Sequence, residues 1–202
     1  WSRKTNAVAI GASKNKLTAV KSVALAYTPV KANITGEIVD LGNGLEKDYT
    51  SKPGIVKNKI AFVYLGILSG NDNESKNLHR SEKTALAIKY GAIGIIFFNT
   101  ADNGVLLTGT ASVTGKLIPI PAVCIGKEDG FALKKALTTS KQYAHINMTN
   151  FSGIIKARNI IATLPGRSLP GEKIVVGGHL DSWDLATGAI DNGIGSFSVM
   201  DM

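Results

Sequence analysis

The chain has 202 residues, of which 44% are hydrophobic, and carries a formal net charge of +8. This hydrophobic fraction excludes a wholly disordered chain, and the longest apolar run, GAIGIIFF, is far short of the roughly 20 residues that span a bilayer, so no membrane partner is expected. The lysines are dispersed rather than clustered with aromatic residues, so the positive charge does not indicate nucleic-acid binding.

Residues 1–28 contain two short β-like runs, AVAIG and KSVALAY, on either side of the polar turn ASKNKL. We interpret this segment as a lead-in rather than a domain. The chain opens with Trp1 and shows no signal peptide, which is typical of a processed product or of a piece of a longer protein.

Residues 29–148 mix strand and helix patterns. GEIVDLG and KIAFVYLGI predict strands, and the residues between them have turn chemistry. SEKTALAIKYG predicts a helix with Ser81 as its N-cap and Gly91 just past its end, and the strand GIIFFN follows at once.

The second half of this region repeats the alternation. LIPIPAVCIG predicts a strand with Pro119 and Pro121 at its start or on an edge, KEDGFALKKAL a short amphipathic helix, and YAHINMTN a closing strand. The lone cysteine, Cys124, lies in the apolar run IPAVCIG and is interpreted as a buried structural thiol. The whole pattern predicts a β-rich α+β domain with its own core.

After residue 150 the pattern changes. RNIIATLPG and EKIVVGGHL predict two strands, the second buried on both faces, and GIGSFSVMDM predicts the start of a helix. In open α/β sheets ligands collect at the carboxyl ends of strands, and His179 stands at the end of the second predicted strand.

The stretch GGHLDSWDLATGAIDNGIG, residues 177–195, concentrates acidic residues around this histidine. Imidazole and carboxylate are ligands that Zn²⁺ accepts, and a carboxylate can bridge two ions. His179 and Asp191 are therefore candidate metal ligands, and Asp181 is placed to accept a hydrogen bond from His179. The alternative is a surface histidine beside an acidic turn. For Asp184 we favour a solvated loop carboxylate, and for His79 and His145 structural or exposed positions.

VVGGHLDSWDLATGAIDNGIG resembles the first metal-binding motif of the co-catalytic di-zinc exopeptidases, and is most similar to the plasma glutamate carboxypeptidase (carboxypeptidase Q) group. The resemblance implies that His179 binds one of two zinc ions, that Asp181 orients His179 in the catalytic site, and that Asp191 bridges both ions. It also implies a cis peptide bond between Asp191 and Asn192.

The middle of the chain resembles a protease-associated (PA) domain, because KIAFVYLG, YGAIGIIFFN and IPIPAVCIGKEDGFAL follow in the order typical of that domain. The resemblance implies three segments: a lead-in from the catalytic domain at 1–28, the PA domain at 29–148, and the start of the catalytic domain at 149–202. The expected fold class is an α+β PA domain, β-rich with short helices, followed by the first strands of an α/β zinc-exopeptidase domain.

The same resemblance implies hydrolysis of peptide bonds at the ends of small peptides by zinc-activated water, in a secreted or periplasmic protein. The expected partner is a small peptide substrate, with a homodimer as one option. The family's general base and remaining ligands are not among these 202 residues, so we expect the chain alone to be inactive. The alternative function is a non-catalytic PA-domain binding module, and the preference for an amino or a carboxyl end is left open.

Overall fold

The computed structural model describes residues 1–68, 76–169, 171–183 and 185–202. They divide into two compact units, Trp1–Gly153 (unit 1) and Ile154–Met202 (unit 2). No helix within these described ranges is long and apolar enough to cross a membrane.

Unit 1 is built on one mixed sheet. Its strands are β1 (Ser2–Ser13), β2 (Lys16–Val20), β3 (Ser22–Ala24), β4 (Lys31–Asp40), β5 (Ile60–Tyr64), β6 (Gly94–Phe98), β7 (Ala122–Ile125) and β8 (Tyr143–Phe151). Its helices are α1 (Glu46–Thr50), α2 (Arg80–Lys89) and α3 (Lys127–Thr139). The strands are ordered β2-β1-β8-β4-β5-β6-β7-β3, with β4 to β7 parallel and the other pairings antiparallel. The predicted β-rich α+β architecture with short helices is confirmed.

The sheet curls so that its first and last strands, β2 and β3, are joined through the single residue Lys21. Side chains of β1 reach across to β3, where Asn6 Nδ2 donates to Ser22 Oγ at 2.8 Å and Arg3 Nε donates to the Ala24 carbonyl at 3.1 Å. Residues 1–28, which we expected to be a lead-in, therefore supply three strands of the same sheet. The turn predicted by ASKNKL is shorter than expected, because β2 already begins at Lys16.

Two apolar cores lie on opposite faces of this sheet. The inner core gathers buried side chains from seven strands, among them Val8, Ala24, Ile38, Phe62, Phe98, Val123 and Ile146, and is closed by Leu133 of α3. The outer core is covered by α1 and α2 through Tyr49 and Ala87. All five residues of β6 are buried, as expected for a parallel strand with cores on both faces.

Two details of the helices differ from the sequence expectations and one agrees with them. The helix α1 lies in a segment predicted as turns, and its first turn is secured by Asp48, whose carboxylate accepts from the Leu45 amide at 2.8 Å. The N-cap of α2 is His79 rather than Ser81, because the His79 ring accepts from the Ser81 amide and Glu82 reaches back to the His79 amide. Gly91 follows α2 with φ of 83°, as predicted.

Unit 2 contains one α-helix among its described residues, α4 (Gly195–Asp201). The strands predicted in RNIIATLPG and EKIVVGGHL are not formed, and this prediction was wrong for the structure: Ile174 and Val175 are 94% and 90% exposed. A strand is stabilised by hydrogen bonds to a neighbouring strand and by burial of its side chains. The described residues of unit 2 form no such neighbour.

Candidate metal centre

The candidate site lies in two segments of unit 2, residues 178–183 and the turn Ala189–Ile194 that leads into α4. The helical backbone of this turn is interrupted at Asp191 and Asn192, and the bond between them is cis, as the resemblance to di-zinc exopeptidases implied. The two segments are tied at the His179 carbonyl, which accepts from Ser196 Oγ at 2.9 Å and from Asn192 Nδ2 at 3.4 Å. A Cβ at Gly195 would overlap the Asn192 side chain, so Asn192 packs directly against this glycine.

His179 is the centre of the site, and both predicted carboxylates contact it. Its Nε2 lies 3.0 Å from Asp191 Oδ1, while its Nδ1 lies 3.0 Å from the Asp181 carbonyl oxygen and 3.3 Å from Asp181 Oδ1. The structure thus brings His179, Asp181 and Asp191 together, as the sequence predicted. Asp184 lies outside the described residues.

The electrostatics of the site favour a proton on the imidazole. The hydrogen bond to the Asp181 carbonyl raises the pKa of His179, and the negative charges of Asp191 and Asp181 raise it further. A metal ion binds the neutral ring, so it has to compete with this proton, and binding is expected to weaken as pH falls.

The geometry of His179 and Asp191 fits a shared metal ion. His179 Nε2 and Asp191 Oδ1 form an ion pair at 3.0 Å, and this separation is close to the roughly 3.3 Å between two ligand atoms that each lie about 2.0–2.2 Å from a tetrahedral Zn²⁺. Hydrogen bonding of Nδ1 to Asp181 leaves Nε2 as the nitrogen that faces the carboxylate. Within the described part of the chain, no group of three or more His, Cys, Asp or Glu is arranged to hold an ion.

Each of the two units contains a match to a known protein family. A model described as PA domain matches residues 34–133, and a model described as Peptidase family M28 matches residues 159–202, which include His179, Asp181 and Asp191. The chain belongs to peptidase family M28 and carries a PA domain.

Relatives of the chain include proteins named as an aminopeptidase and as a carboxypeptidase. The chain is 30% identical to Aminopeptidase YwaD of Bacillus subtilis (strain 168) over 84% of its own length and 33% of that protein. It is 30% identical to Carboxypeptidase Q of Mus musculus over 59% of its length and 26% of that protein. The chain therefore spans a third or less of these two relatives.

Solved structures share the fold. A Peptidase M28 precursor from Shewanella amazonensis SB2B superposes with a TM-score of 0.74 at 23% identity, over 96% of this chain and 46% of that chain. BSAP, a zinc aminopeptidase from Bacillus subtilis, superposes with a TM-score of 0.53 at 23% identity, over 74% of this chain and 32% of that chain.

In this M28 chain, three further residues belong to the site but were not singled out from the sequence. Ser182 and Trp183 line a small cleft with His179, Asp181 and Asp191, and Ser196 binds the His179 carbonyl. Trp183 belongs to the sequence DSWD, so a half-exposed aromatic residue beside the candidate ligands could have been anticipated. Ser196 could not, because its role depends on how α4 packs against residues 178–180.

The remaining histidines and the cysteine belong to unit 1. His79 caps α2, and His145 Nδ1 lies 2.9 Å from Thr35 Oγ1 on the exposed face of β8 and β4. Cys124 is fully buried in β7, and burial raises the pKa of its thiol to about 12, which suits an inert structural residue.

Proposed function

We propose that this chain is the PA domain and the start of the catalytic domain of a zinc-dependent exopeptidase that acts on small peptides. One observation carries the proposal: His179 Nε2 faces Asp191 Oδ1 at 3.0 Å while its other ring nitrogen is held by Asp181. The names of the M28 relatives, which include an aminopeptidase and a carboxypeptidase, support a peptidase of this class.

In this proposal His179 and Asp191 hold zinc, and Asp181 is the catalytic positioning residue. The hydrogen bond from His179 Nδ1 fixes the tautomer in which Nε2 can bind metal. Asp191 is 73% exposed at its side chain, so its second oxygen is accessible to a second ion in a two-zinc site. Zinc supplies Lewis-acid chemistry and activation of water for peptide hydrolysis.

The chain alone is proposed to be inactive. A catalytic zinc takes about three protein ligands and one further position, whereas His179 and Asp191 supply two side chains. The remaining ligands and the general base have to come from residues beyond this chain in the longer protein. We also propose that the parent acts outside the cytoplasm on small peptides, and a homodimer stays a prediction.

The test is peptidase activity in the longer protein that carries this chain, measured with dipeptides and with aminoacyl and N-blocked substrates. We expect activity that is lost on chelation, restored by zinc, and abolished by His179→Ala. His145→Ala is the matched control, because this histidine lies on the sheet of unit 1 and is expected to leave activity unchanged.

The outcomes separate the two candidate functions. Full activity in His179→Ala would refute the metal role of this residue. A folded longer protein that binds no zinc and hydrolyses none of these substrates would favour the alternative, a non-catalytic PA-domain binding module.

A further inference from the structure

Unit 1 contains a cation, Arg80, whose guanidinium has no partner among the residues that the structure describes. Arg80 occupies the first position of α2 and is half-buried, and its Nη1 atom is buried with no hydrogen-bond partner. Among the described residues, no carboxylate forms an ion pair with its guanidinium. Burial without a compensating acid lowers the pKa of Arg80.

An unpaired, partly buried guanidinium is costly. The group carries five donors and a permanent charge, and burial of a charge is unfavourable unless an anion or acceptor compensates it. Lysine and arginine side chains usually avoid this cost by extending into water. The buried Nη1 of Arg80 therefore requires an explanation outside packing alone.

The guanidinium of Arg80 packs directly against the backbone at Gly109. Gly109 is buried against it, and a Cβ built on Gly109 would overlap the Arg80 guanidinium. Gly109 also has φ of 142°, which L side chains rarely adopt. The φ angle favours glycine at this position, and a side chain there would also displace the Arg80 guanidinium.

A second cation on the same helix strengthens the positive potential. Lys83 is fully buried, and its Nζ donates to the carbonyls of Tyr64 at 2.7 Å and Gly66 at 3.1 Å, at the carboxyl end of β5. These acceptors are neutral. The acid on α2, Glu82, accepts from the His79 amide at the start of its own helix, and the negative charge of Asp48 in α1 offsets part of the positive charge of Lys83.

The location is one where ligands collect. The first turn of α2 stands at the carboxyl end of β5, and the loop that contains Gly109 follows β6, the next parallel strand. Strands β4 to β7 are the parallel part of this mixed sheet, and the carboxyl ends of parallel strands are a common place for ligands. Arg80 lies at this edge with an unused planar fork of donors, which matches a carboxylate or a phosphate.

We propose that Arg80 is the anchor of an anion site on the PA domain, where its guanidinium, which lies over Gly109, binds a carboxylate or phosphate group at the carboxyl edge of β5 and β6. The site is distinct from His179, Asp181 and Asp191 and does not rest on the proposed peptidase function. A carboxylate would come from an acidic or C-terminal peptide group, and a phosphate from the free ion.

The test is NMR of arginine side chains in the 202-residue chain. It has four arginines, Arg3, Arg80, Arg158 and Arg167, so the Nε–H signals can be assigned by substitution. The chain is titrated with sodium acetate and with inorganic phosphate, against sodium chloride at equal ionic strength. We expect a saturable shift of the Arg80 signal with at least one oxyanion, while Arg158 and Arg167 drift linearly.

Two variants test the geometry, with the Gly109 backbone amide as reporter. Arg80→Lys keeps the charge but loses the fork, and binding should weaken by about tenfold or more. Arg158→Lys is the matched control and should bind as the wild type does. Gly109→Ala should also lose binding. If Gly109→Ala does not fold, the affinity of Arg80→Lys alone tests the proposal.

Saturation by acetate alone indicates a peptide carboxylate as ligand, and saturation by phosphate alone indicates the free ion; both outcomes support the site. A linear, non-saturating change in the Arg80 Nε–H chemical shift with both acetate and phosphate would overturn the proposal. Unchanged affinity in Arg80→Lys would overturn it as well.

Discussion

The orientation of His179 depends on one residue in two ways. Asp181 offers both its backbone carbonyl, at 3.0 Å, and its carboxylate, at 3.3 Å, to the same ring nitrogen. A substitution at Asp181 removes the carboxylate but leaves the carbonyl. The histidine should therefore keep much of its orientation without the Asp181 side chain.

We accordingly predict a modest effect for Asp181→Ala. Removal of the hydrogen-bond partner of a metal-binding histidine typically costs 10–100-fold in affinity, and we expect about tenfold here. The measurement is zinc affinity of the longer protein by competition with a chelator. Ser182→Ala, in the same cleft, is the control. A loss as large as that of His179→Ala would mean that Asp181 itself binds the metal.

Lys83 provides a pH-dependent prediction in unit 1. Burial lowers its pKa from the ordinary 10.5 to about 8. Between pH 8 and 10.5 the unfolded chain holds this proton and the folded chain does not, so the free energy of unfolding should rise with pH across this window. The two-and-a-half-unit difference corresponds to roughly 3 kcal/mol.

The measurement compares wild type with Lys83→Met by urea denaturation at pH 7, 8, 9 and 10. Two other buried groups have the opposite effect on stability. Burial raises the pKa of Cys124 to about 12 and also raises the pKa of Tyr49. Both groups therefore make the free energy of unfolding fall as pH rises above about 9 to 10. These groups are common to both proteins and cancel in the difference. A difference in unfolding free energy that stays constant from pH 7 to 10 would contradict the prediction.

The sequence predicted His179, Asp181 and Asp191 because their chemistry and spacing are local. Arg80 and Lys83 carried no such signal, since a charged residue in a helical pattern ordinarily lies on the solvated face. Their burial arises because α2 packs its first turns against the ends of β5 and the loop after β6. That contact is tertiary, and periodicity along one helix does not encode it.

At the scale of elements, α3 approaches β6 so closely that it needs a glycine inside the helix. A Cβ on Gly130 would overlap the side chain of Phe98, whose ring stacks on that of Phe62 with centroids 4.7 Å apart. Glycine usually weakens a helix interior by about 1 kcal/mol relative to alanine. Close packing therefore outweighs propensity at this position.

We predict that Gly130→Ala destabilises the protein although it raises helix propensity. Overpacking of a core costs about 1–3 kcal/mol, which exceeds the gain and should lower Tm by several degrees. Thr138→Ala, on an exposed position of α3, is the control and should leave Tm nearly unchanged. An increase in Tm for Gly130→Ala would show that Phe98 moves aside without cost.

Elements with strong local patterns were predicted, and those that depend on partners were not. The strands β5, β6 and β8 and the helices α2 and α3 follow from apolar runs and turn residues. The helix α1 is only five residues long and was missed, because its stability comes from the Asp48 cap and the burial of Tyr49 rather than from periodicity.

At the scale of the whole molecule, the order of the sheet could not be predicted from the sequence. β1 pairs with β8 from Ser2↔Phe151 to Gly11↔Tyr143, and β3 pairs with β7. These pairings join the first 24 residues to strands about 100 or more positions away. Residues 1–28 contain apolar alternation that indicates strands, but nothing local in them identifies their partners.

Unit 2 poses the opposite case, a pattern that predicts strands where the structure has none. Apolar side chains in residues 154–169 and 171–180 are largely exposed, including Ile160, Ile161 and Ile174 at 84% or more. Exposed apolar residues at this density are unusual unless another surface covers them. M28 relatives are three or more times the length of the matched region, so the covering surface is expected to come from the rest of the catalytic domain.

We therefore predict that hydrogen exchange will differ between this chain and the longer protein. In the 202-residue chain, amides in 171–180 should exchange at nearly unprotected rates, because no neighbouring strand accepts them. In the longer protein the same amides should be protected, because EKIVVGGHL then pairs within a sheet and places His179 at the end of a buried strand. Amides of β6 (Gly94–Phe98) are the internal control and should be protected in both. Equal, unprotected exchange of 171–180 in both proteins would mean that this segment is not a strand of the M28 domain, and that the proposed metal ligands are positioned by α4 and the turn before it alone.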